Sequence, residues 1–300
     1  MKVIQSLIKK SKTKNDKIQL TMTKLKENMN HEKIRLFDLS MESGASIWLT
    51  TLPLKDEGFI LNKQSFWDLI RFRYGWSLKR LPELCECGNK FDVDHALSCK
   101  KGGFVSLRHN QIRNITAVLL KEVSPDVHVE PPLQEITGES FHQTTSNTSE
   151  EARLDVAARS FWQTGQMTFF DVRVFNPIAR RYVSQELSKC YESNEKEKKR
   201  QYNERVLQVE HGTFTPLVLS ATGGMGRECA KFYNRLAELI SEKRKQNYSL
   251  IVSWIRRKIC FALLGSICSC LRGSRSLFNQ RLESSISCDA ITSEIVSRFH

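Results

Sequence analysis

The sequence predicts an α/β protein in which a small mixed sheet is flanked by helices, and three observations lead to this class. Two apolar segments rich in β-branched and aromatic residues, 153–159 and 168–175, are joined by the polar stretch QTGQ and indicate a β-hairpin. Helical patterns lie on both sides of these strands. A third apolar strand, 215–221, follows a long charged helix, and such alternation is typical of α/β layouts.

Five regions follow from the composition along the chain. They are a Lys-rich, helix-prone or disordered arm (1–44), a helical segment (45–84), a Cys/His cluster (85–107), the sheet-containing domain (108–246) and a basic helical C-terminal extension (247–300). The helical segment contains a helix at 62–74 whose aromatic side chains are expected in the core rather than as a stacking platform. The sheet-containing domain adds helices at 107–123 and 184–208.

The composition excludes some classes of protein. The chain has 300 residues, 40% of them hydrophobic, which is enough to bury a core. No segment reaches the roughly 18–20 uninterrupted apolar residues of a membrane span. The N-terminus lacks the apolar centre and cleavage site of a secretory signal. We therefore expect an intracellular protein without a membrane partner, whose nine cysteines stay reduced and available to metals.

The positive charge is concentrated at the two ends of the chain. The net charge is +13, and residues 1–40 and residues 241–300 each contain ten Lys and Arg against four Asp and Glu. Clustered Lys and Arg bind phosphate chains through counterion release. The expected partner is therefore nucleic acid, DNA first and RNA as an alternative, rather than a small-molecule substrate. The other explanation is that basic ends keep the protein soluble.

Four potential zinc ligands lie within 15 residues in the stretch CECGNKFDVDHALSC. Cys85, Cys87, His95 and Cys99 follow the pattern C-x-C-x7-H-x3-C. Structural zinc takes four thiolate or imidazole ligands in a tetrahedron, and this spacing supplies them from a short loop and a helical turn. The alternative is that the cysteines are small buried hydrophobes and the histidine is hydrogen-bonded. The other six cysteines are interpreted as packing residues.

Two aspartates interrupt the apolar runs of the predicted hairpin, in RLDVAA and FFDVRVF. A lone buried carboxylate costs several kcal/mol unless it is paired, protonated or bound to a metal. Asp155 and Asp171 on adjacent strands can share one Mg²⁺, which is the minimum metal site for phosphodiester hydrolysis. The literal Pro-Asp at 125–126 is set aside, because Pro131 and Pro132 cut the following strand short.

A catalytic cation near this pair has several candidates. Arg173 shares a sheet face with Asp171, but arginine does not deprotonate and is a poor proton shuttle. Lys196, Lys198 and Lys199 lie on the charged helix, where most lysines only solvate a helix face. Glu122 lies near the apolar stripe of its helix and is a further catalytic candidate, with an exposed position at a fraying helix end as the alternative.

The order of these parts resembles the C-terminal region of non-LTR retrotransposon proteins. The resemblance covers about residues 85–245 and rests on the C-C-H-C pattern, RHN at 108–110, RLD, FFDVRV and a Lys/Tyr helix. That region carries a restriction-like endonuclease of the PD-(D/E)XK superfamily. The resemblance implies a restriction-endonuclease-like fold, a zinc knuckle, and a catalytic lysine displaced to Lys198 or Lys199 beside Tyr202. Leu154 stands where the family normally has proline.

The sequence and the resemblance together lead to one expectation. The chain is expected to be a nuclear, Mg²⁺-dependent DNA endonuclease with a structural Zn²⁺, in which Asp155, Asp171 and the carbonyl of Val172 bind the magnesium. No F/Y-x-D-D motif is present, so the reverse transcriptase of the family is missing. The alternatives are a catalytically inactive nucleic-acid-binding protein with vestigial aspartates, and a translated pseudogene. The oligomeric state and target sequence are left open.

Overall fold

A mixed sheet of four strands lies at the centre of the fold, in a computed structural model that describes residues 16–275. The strands are β1 (Val127–Val129), β2 (Val156–Arg159), β3 (Met167–Phe175) and β4 (Thr213–Ser220), side by side in chain order. Strands β1, β2 and β3 pair antiparallel, whereas β3 and β4 are parallel. The sheet and the helices around it confirm the predicted α/β class.

Helices precede the sheet, connect two of its strands and follow it. They are α1 (16–27), α2 (His31–Met41), α3 (Lys63–Tyr74), α4 (Val93–Ser98), α5 (Phe104–Lys121), α6 (Arg180–Val183), α7 (Leu187–Gln208), α8 (Arg227–Arg244) and α9 (Tyr248–Arg272), with a 3-10 turn at Ile47–Leu49. The helices predicted at 62–74, 107–123 and 184–208 are confirmed within a few residues. None of the helices in the described part of the chain is long and apolar enough to cross a membrane.

Helices cover both faces of the sheet, because alternate residues of a strand point to opposite sides. Phe170 and Val172 of β3 join the core formed with α5, α8 and α9, whereas Phe169 and Phe175 pack against residues of α7. Strand β4 is buried almost throughout, as expected for a parallel strand covered on both faces. Asp171 and Arg173 share the parity of Phe169, so their side chains lie on the face that α7 covers.

Strand β1 is the short strand between the Pro-Asp dipeptide and the two prolines. It is an edge strand of three residues, and Glu130, with a left-handed φ of 52°, and Pro131 follow it directly. The carboxylate of Asp126, just before β1, accepts from Arg159 Nε at 2.6 Å and lies 2.6 Å from His128 Nε2. Asp126 thus links the start of β1 to the end of β2, which is a structural role for the Pro-Asp dipeptide at 125–126.

The C-terminal helix α9 is part of the core, although the sequence suggested an extension. Ile251, Ile255 and Ile259 pack into the same cluster as the sheet. Leu264 and Ile267, on a different side of the helix, pack with the Cys/His segment instead. A helix with two apolar sides can pack into two hydrophobic clusters, whereas a helix with one apolar stripe packs into one. The predicted tail beyond residue 275, with Cys288, and the first 15 residues of the basic arm lie outside the described residues.

The aromatic residues near α3 divide between the core and the surface. Phe72 and Trp48 are buried, as expected. Phe66, Trp67, Tyr74 and Trp76 are instead exposed, so the expectation that the aromatics of this segment are core residues is wrong for these four. The helix has room for only one buried face, and Leu69 and Phe72 occupy it.

Glu42, which follows α2, gives the fold a predicted pH dependence. Burial raises the pKa of its carboxyl from 4.5 to about 7, against the opposing effects of the Tyr191 hydroxyl, which donates to Oε1 at 2.6 Å, and of Arg35. Because the folded protein holds this proton more tightly than the unfolded chain, the contribution of Glu42 to stability is fully present below pH 4.5 and is lost as the pH rises through about 7. The expected loss is about 3 kcal/mol.

We expect Glu42→Gln to remove this loss, since glutamine keeps an acceptor for Tyr191 and carries no charge. Urea denaturation at pH 5 and pH 8 measures the effect, with Glu27→Gln at an exposed position as the matched control. The prediction would be contradicted if the variant and the wild type differed in free energy of unfolding by the same amount at pH 5 and at pH 8.

Candidate functional site

The two aspartates of the predicted hairpin lie on neighbouring parts of the sheet. Asp171 is in the middle of β3, and Asp155 directly precedes β2. Val156 pairs with Phe170, and the Asp155 N–H also donates to the Phe170 carbonyl at 3.1 Å, so the chain bends at Asp155 just before the strand. The Asp155 carboxylate accepts from the Val172 N–H, and its charge acts on Asp171, so the structure places the two carboxylates near each other.

Both oxygens of Asp155 have partners. Its Oδ1 atom lies 2.8 Å from Nε2 of His109 on α5, and its Oδ2 atom accepts from the Val172 N–H at 2.6 Å. These two contacts fix the orientation of the carboxylate at the end of β2. They also tie it to the backbone of β3, one residue beyond Asp171.

Asp171 is paired with one lysine of α7. Lys198 Nζ lies 2.8 Å from Asp171 Oδ2, and the Asp171 side chain is only 9% exposed. That oxygen is fully buried, and the Lys198 ammonium is the cation that faces it. Burial raises the pKa of Asp171; the charge of Asp155 raises it further, while Lys198 and His109 oppose the rise. The four side chains therefore form one electrostatic cluster.

The other lysines of α7 point elsewhere. Lys199 pairs with Glu228 at 3.4 Å. Lys196 is 76% exposed and lies 3.9 Å from Glu192. Successive helix residues are about 100° apart, so only one of neighbouring positions 198 and 199 can face the sheet. Lys198 occupies that position, with its Nζ 5.6 Å from the centre of the Tyr202 ring.

Arg173 lies on the same face of β3 as Asp171 and pairs with another residue of α7. Its Nη1 atom is 2.9 Å from Glu197 Oε2, and its side chain is 21% exposed. The guanidinium is thus next to the cluster and partly open to solvent. A partly exposed guanidinium beside a carboxylate site can bind phosphate oxygens.

Glu122 lies away from the aspartates. It caps the C-terminal end of α5, thirteen residues and about 20 Å along the helix from His109. Its Oε2 and Oε1 atoms accept from Arg244 Nε and Nη2 at 2.9 and 2.8 Å, and Lys243 donates to its carbonyl. This network fastens the end of α8 to the end of α5, so the reason for the carboxylate near the apolar stripe is structural.

His109 is the site residue that the sequence reasoning missed. The motif RHN at 108–110 contributed to the family resemblance, but no chemistry was assigned to its histidine. The signal was its position on the buried stripe of α5: Ile112 and Thr116, three and seven residues later, are both fully buried. A polar ring on a buried stripe has a buried partner, and here that partner is Asp155.

The Cys₃His cluster forms a second candidate site. The ligand atoms of Cys85, Cys87, His95 and Cys99 all lie within 4.8 Å of one another. Within residues 16–275 this is the one group of three or more His, Cys, Asp or Glu side chains that converges in this way. The group is positioned by a turn, in which Gly88 has a φ of 84°, and by α4, where Asp92 caps the helix by accepting from the His95 N–H.

The separations between these atoms fit a tetrahedral metal. Cys99 Sγ lies 3.9 Å from Cys85 Sγ and 3.8 Å from Cys87 Sγ, and Cys87 Sγ lies 3.3 Å from His95 Nε2. Zinc–ligand bonds of usual length place two sulfurs about 3.8 Å apart and a sulfur and a nitrogen about 3.6 Å apart. The cluster can therefore bind a metal such as zinc.

The local environment of one thiol also favours a metal ligand. Hydrogen bonds from the backbone and side-chain amides of Asn89 lower the pKa of Cys87 to about 6. The thiolate is the form that coordinates metals. Burial raises the pKa of the ligand Cys99, and it also raises the pKa of Cys190, Cys229, Cys260, Cys268 and Cys270, for which a packing role is expected.

Two arrangements within residues 16–275 thus bear on function: the carboxylate cluster formed by Asp155, Asp171, His109 and Lys198, and the Cys₃His cluster. In comparisons with known proteins, no protein-family model matches the chain, and no curated protein is significantly similar to it in sequence.

Proposed function

We propose that this protein is a Mg²⁺-dependent DNA endonuclease with a restriction-like fold and a structural zinc knuckle, related to the nuclease region of non-LTR retrotransposon proteins. One observation carries the proposal: Asp155 and Asp171 lie close together at the sheet, and Asp171 pairs with Lys198 from the helix that covers it. Two neighbouring carboxylates and a cation are the groups that metal-assisted phosphodiester hydrolysis requires.

The residues present fit a magnesium ion. Asp155 and Asp171 offer carboxylate oxygens, of which Asp171 Oδ2 is fully buried beside the Lys198 ammonium, and hard cations prefer such oxygens. In an extended strand the N–H and C=O of one residue point to the same edge. Since the Val172 N–H points to the Asp155 carboxylate, the Val172 carbonyl faces the same edge of β3 and would supply a third oxygen ligand. When bound, Mg²⁺ supplies Lewis-acid activation of the phosphate and of water.

Each protein side chain of the cluster has a separate role in this proposal. His109 holds the Asp155 carboxylate and acts as a positioning residue. Lys198 stabilises the negative charge that develops on the phosphate. Arg173, partly exposed, binds a non-bridging oxygen of the DNA backbone. Lys199 and Glu122 have no part in it, because Lys199 faces Glu228 instead of Asp171 and Glu122 is bound by Arg244 at the far end of α5.

The zinc site and the charge distribution support the DNA partner. Zinc held by Cys85, Cys87, His95 and Cys99 stabilises the segment between α3 and α5, and the positive charge of the chain provides affinity for phosphates without sequence readout. A nuclear location follows as part of the proposal, since a genomic target lies there.

Plasmid nicking tests the proposed function. Zinc-loaded protein is incubated with supercoiled plasmid in Mg²⁺, in Mn²⁺ or without a divalent ion, beside Asp155→Ala/Asp171→Ala. The exposed pair Glu150→Ala/Glu151→Ala is the matched control. We expect nicking that needs the metal and both aspartates but not the two glutamates. Equal nicking by all three proteins would show a contaminating nuclease and sink the site assignment.

A catalytically silent DNA-binding protein is the second candidate function. It is favoured by the pairing of both carboxylates with protein groups, His109 for Asp155 and Lys198 for Asp171, since paired carboxylates are stable without a metal. Gel shifts in the same experiment separate the two functions. A folded, zinc-loaded protein that shifts DNA but never nicks it would establish the silent binder.

A further inference from the structure

One face of α3 exposes aromatic and cationic side chains together. Trp67 is 45% exposed and Tyr74 54%, with the exposed Lys63 and the partly exposed Arg71 between and beside them. Positions 63, 67, 71 and 74 fall within about 80° of one another around a helix, so they form one stripe about 17 Å long. This stripe, Lys63, Trp67, Arg71 and Tyr74, is called the α3 stripe below.

Neighbouring side chains orient the aromatic rings of the α3 stripe. The Arg71 guanidinium lies 5.8 Å from the centre of the Trp67 ring. Tyr74 is stacked on Trp76, which is 56% exposed, with ring centres 5.3 Å apart and planes 27° apart. A recess of about 370 Å³, open to solvent, is lined by Lys63, Gln64, Trp67 and Arg71. The stripe thus alternates flat aromatic surfaces with donors for anions.

The charge around the α3 stripe selects the class of partner. Between residues 62 and 80 the sequence has five cations, at positions 63, 71, 73, 79 and 80, and one acid, Asp68. Asp68 is fully buried and paired with Arg272 at 2.7 Å, so its carboxylate is neutralised within the protein. The exposed charge is therefore all positive. A large apolar surface with one sign of charge fits a ligand that carries both flat rings and negative charge.

We propose that the α3 stripe binds single-stranded nucleic acid, with bases stacked on Trp67, Tyr74 and Trp76 and phosphates bound by Lys63 and Arg71. Base stacking on aromatic side chains combined with a cationic track is how proteins bind single strands without sequence preference. Bases in a duplex are stacked on each other and do not offer their faces, so duplex DNA gains nothing from these rings. The proposal goes beyond nuclease activity, since it involves neither aspartate.

Fluorescence anisotropy tests the α3 stripe with the full, zinc-loaded chain in Mg²⁺-free buffer. The probes are labelled dT15, rU15 and a 15-base-pair DNA duplex. We expect Trp67→Ala/Tyr74→Ala to weaken single-strand binding at least about tenfold and duplex binding less than about twofold. Tyr248→Ala, another exposed aromatic, is the matched control and should change neither. Preference for dT15 or rU15 identifies the sugar that the stripe accepts.

A second measurement tests the cations separately from the rings. Lys63→Gln/Arg71→Gln is expected to reduce the slope of log affinity for dT15 against log salt concentration by about 1.4, while Trp67→Ala/Tyr74→Ala leaves the slope unchanged. Unchanged single-strand affinity in the aromatic variant, or an equal loss for strands and duplex, would overturn the proposal. The nuclease assignment stands or falls independently, because the plasmid assay uses duplex DNA and different residues.

Discussion

Lys198→Ala is expected to lower the rate of Mg²⁺-dependent plasmid nicking by about 100- to 1,000-fold. The reason is the position of Lys198 Nζ, 2.8 Å from Asp171, where a cation faces the charge that develops on the phosphate. Removing one preorganised donor from such a site costs about 3 to 4 kcal/mol of transition-state stabilisation. Single-turnover nicking rates at saturating protein measure this effect without a contribution from DNA affinity.

Lys199→Ala is the matched control, because the two lysines are adjacent on α7 and carry the same charge. Lys199 pairs with Glu228, so we expect its loss to change the rate less than about threefold. Lys198→Arg distinguishes two roles of the cation: it keeps the charge but cannot release a proton. A rate near the wild type indicates charge stabilisation, and a rate near that of Lys198→Ala indicates proton transfer. If Lys198→Ala and Lys199→Ala both nicked plasmid at the wild-type rate, neither lysine would be catalytic.

The preference for Lys198 over Lys199 illustrates what the sequence cannot provide. Residues 184–208 were predictable as a helix from composition and length, and the structure has α7 at Leu187–Gln208. The rotation of that helix about its axis depends on packing against β3 and β4, which are distant or later in the chain. A helix with mostly polar residues has no apolar stripe that would define the rotation. The sequence therefore left two lysines where the structure selects one.

Whether a site residue could be predicted depended on how far along the chain its partner lies. The proximity of Asp155 and Asp171 was predictable, because each interrupts a short apolar run and the two runs pair locally. His109 contacts Asp155 from 46 residues away, and Glu122 is bound by Arg244 from the far end of the domain. Contacts between residues so far apart in sequence follow from tertiary packing and leave no periodic signal in the sequence. Strand β1 has only three residues, too few for an alternating pattern, so the prolines after it were its one sequence signal.

The Cys₃His cluster was the most predictable site, because all four ligands lie within 15 residues and tetrahedral coordination limits their spacing. What the sequence did not indicate is how the cluster is built into the fold. Phe91 and Leu97 beside the ligands pack against Ile267 and Leu271 of α9. The metal site and the C-terminal helix therefore belong to one hydrophobic cluster.

We expect Cys99→Ser to lose zinc and to destabilise the protein by more than about 3 kcal/mol. Zinc binding by short segments of this kind contributes folding free energy directly. Because the zinc segment and α9 share one hydrophobic cluster, loss of the metal also weakens the packing of α9. Zinc content by a colorimetric chelator assay and urea denaturation measure the two effects. Cys85→Ser, the other buried ligand, should behave in the same way.

Cys268→Ser is the matched control for this prediction, because Cys268 packs beside the same cluster from α9 without belonging to the ligand set. It should keep one zinc per chain and lose little stability. If Cys99→Ser and Cys85→Ser also kept one zinc, the four side chains would be packing residues and the zinc site would be excluded. A loss of zinc without a loss of stability would instead show that the hydrophobic cluster folds first and holds the ligands in place without the metal.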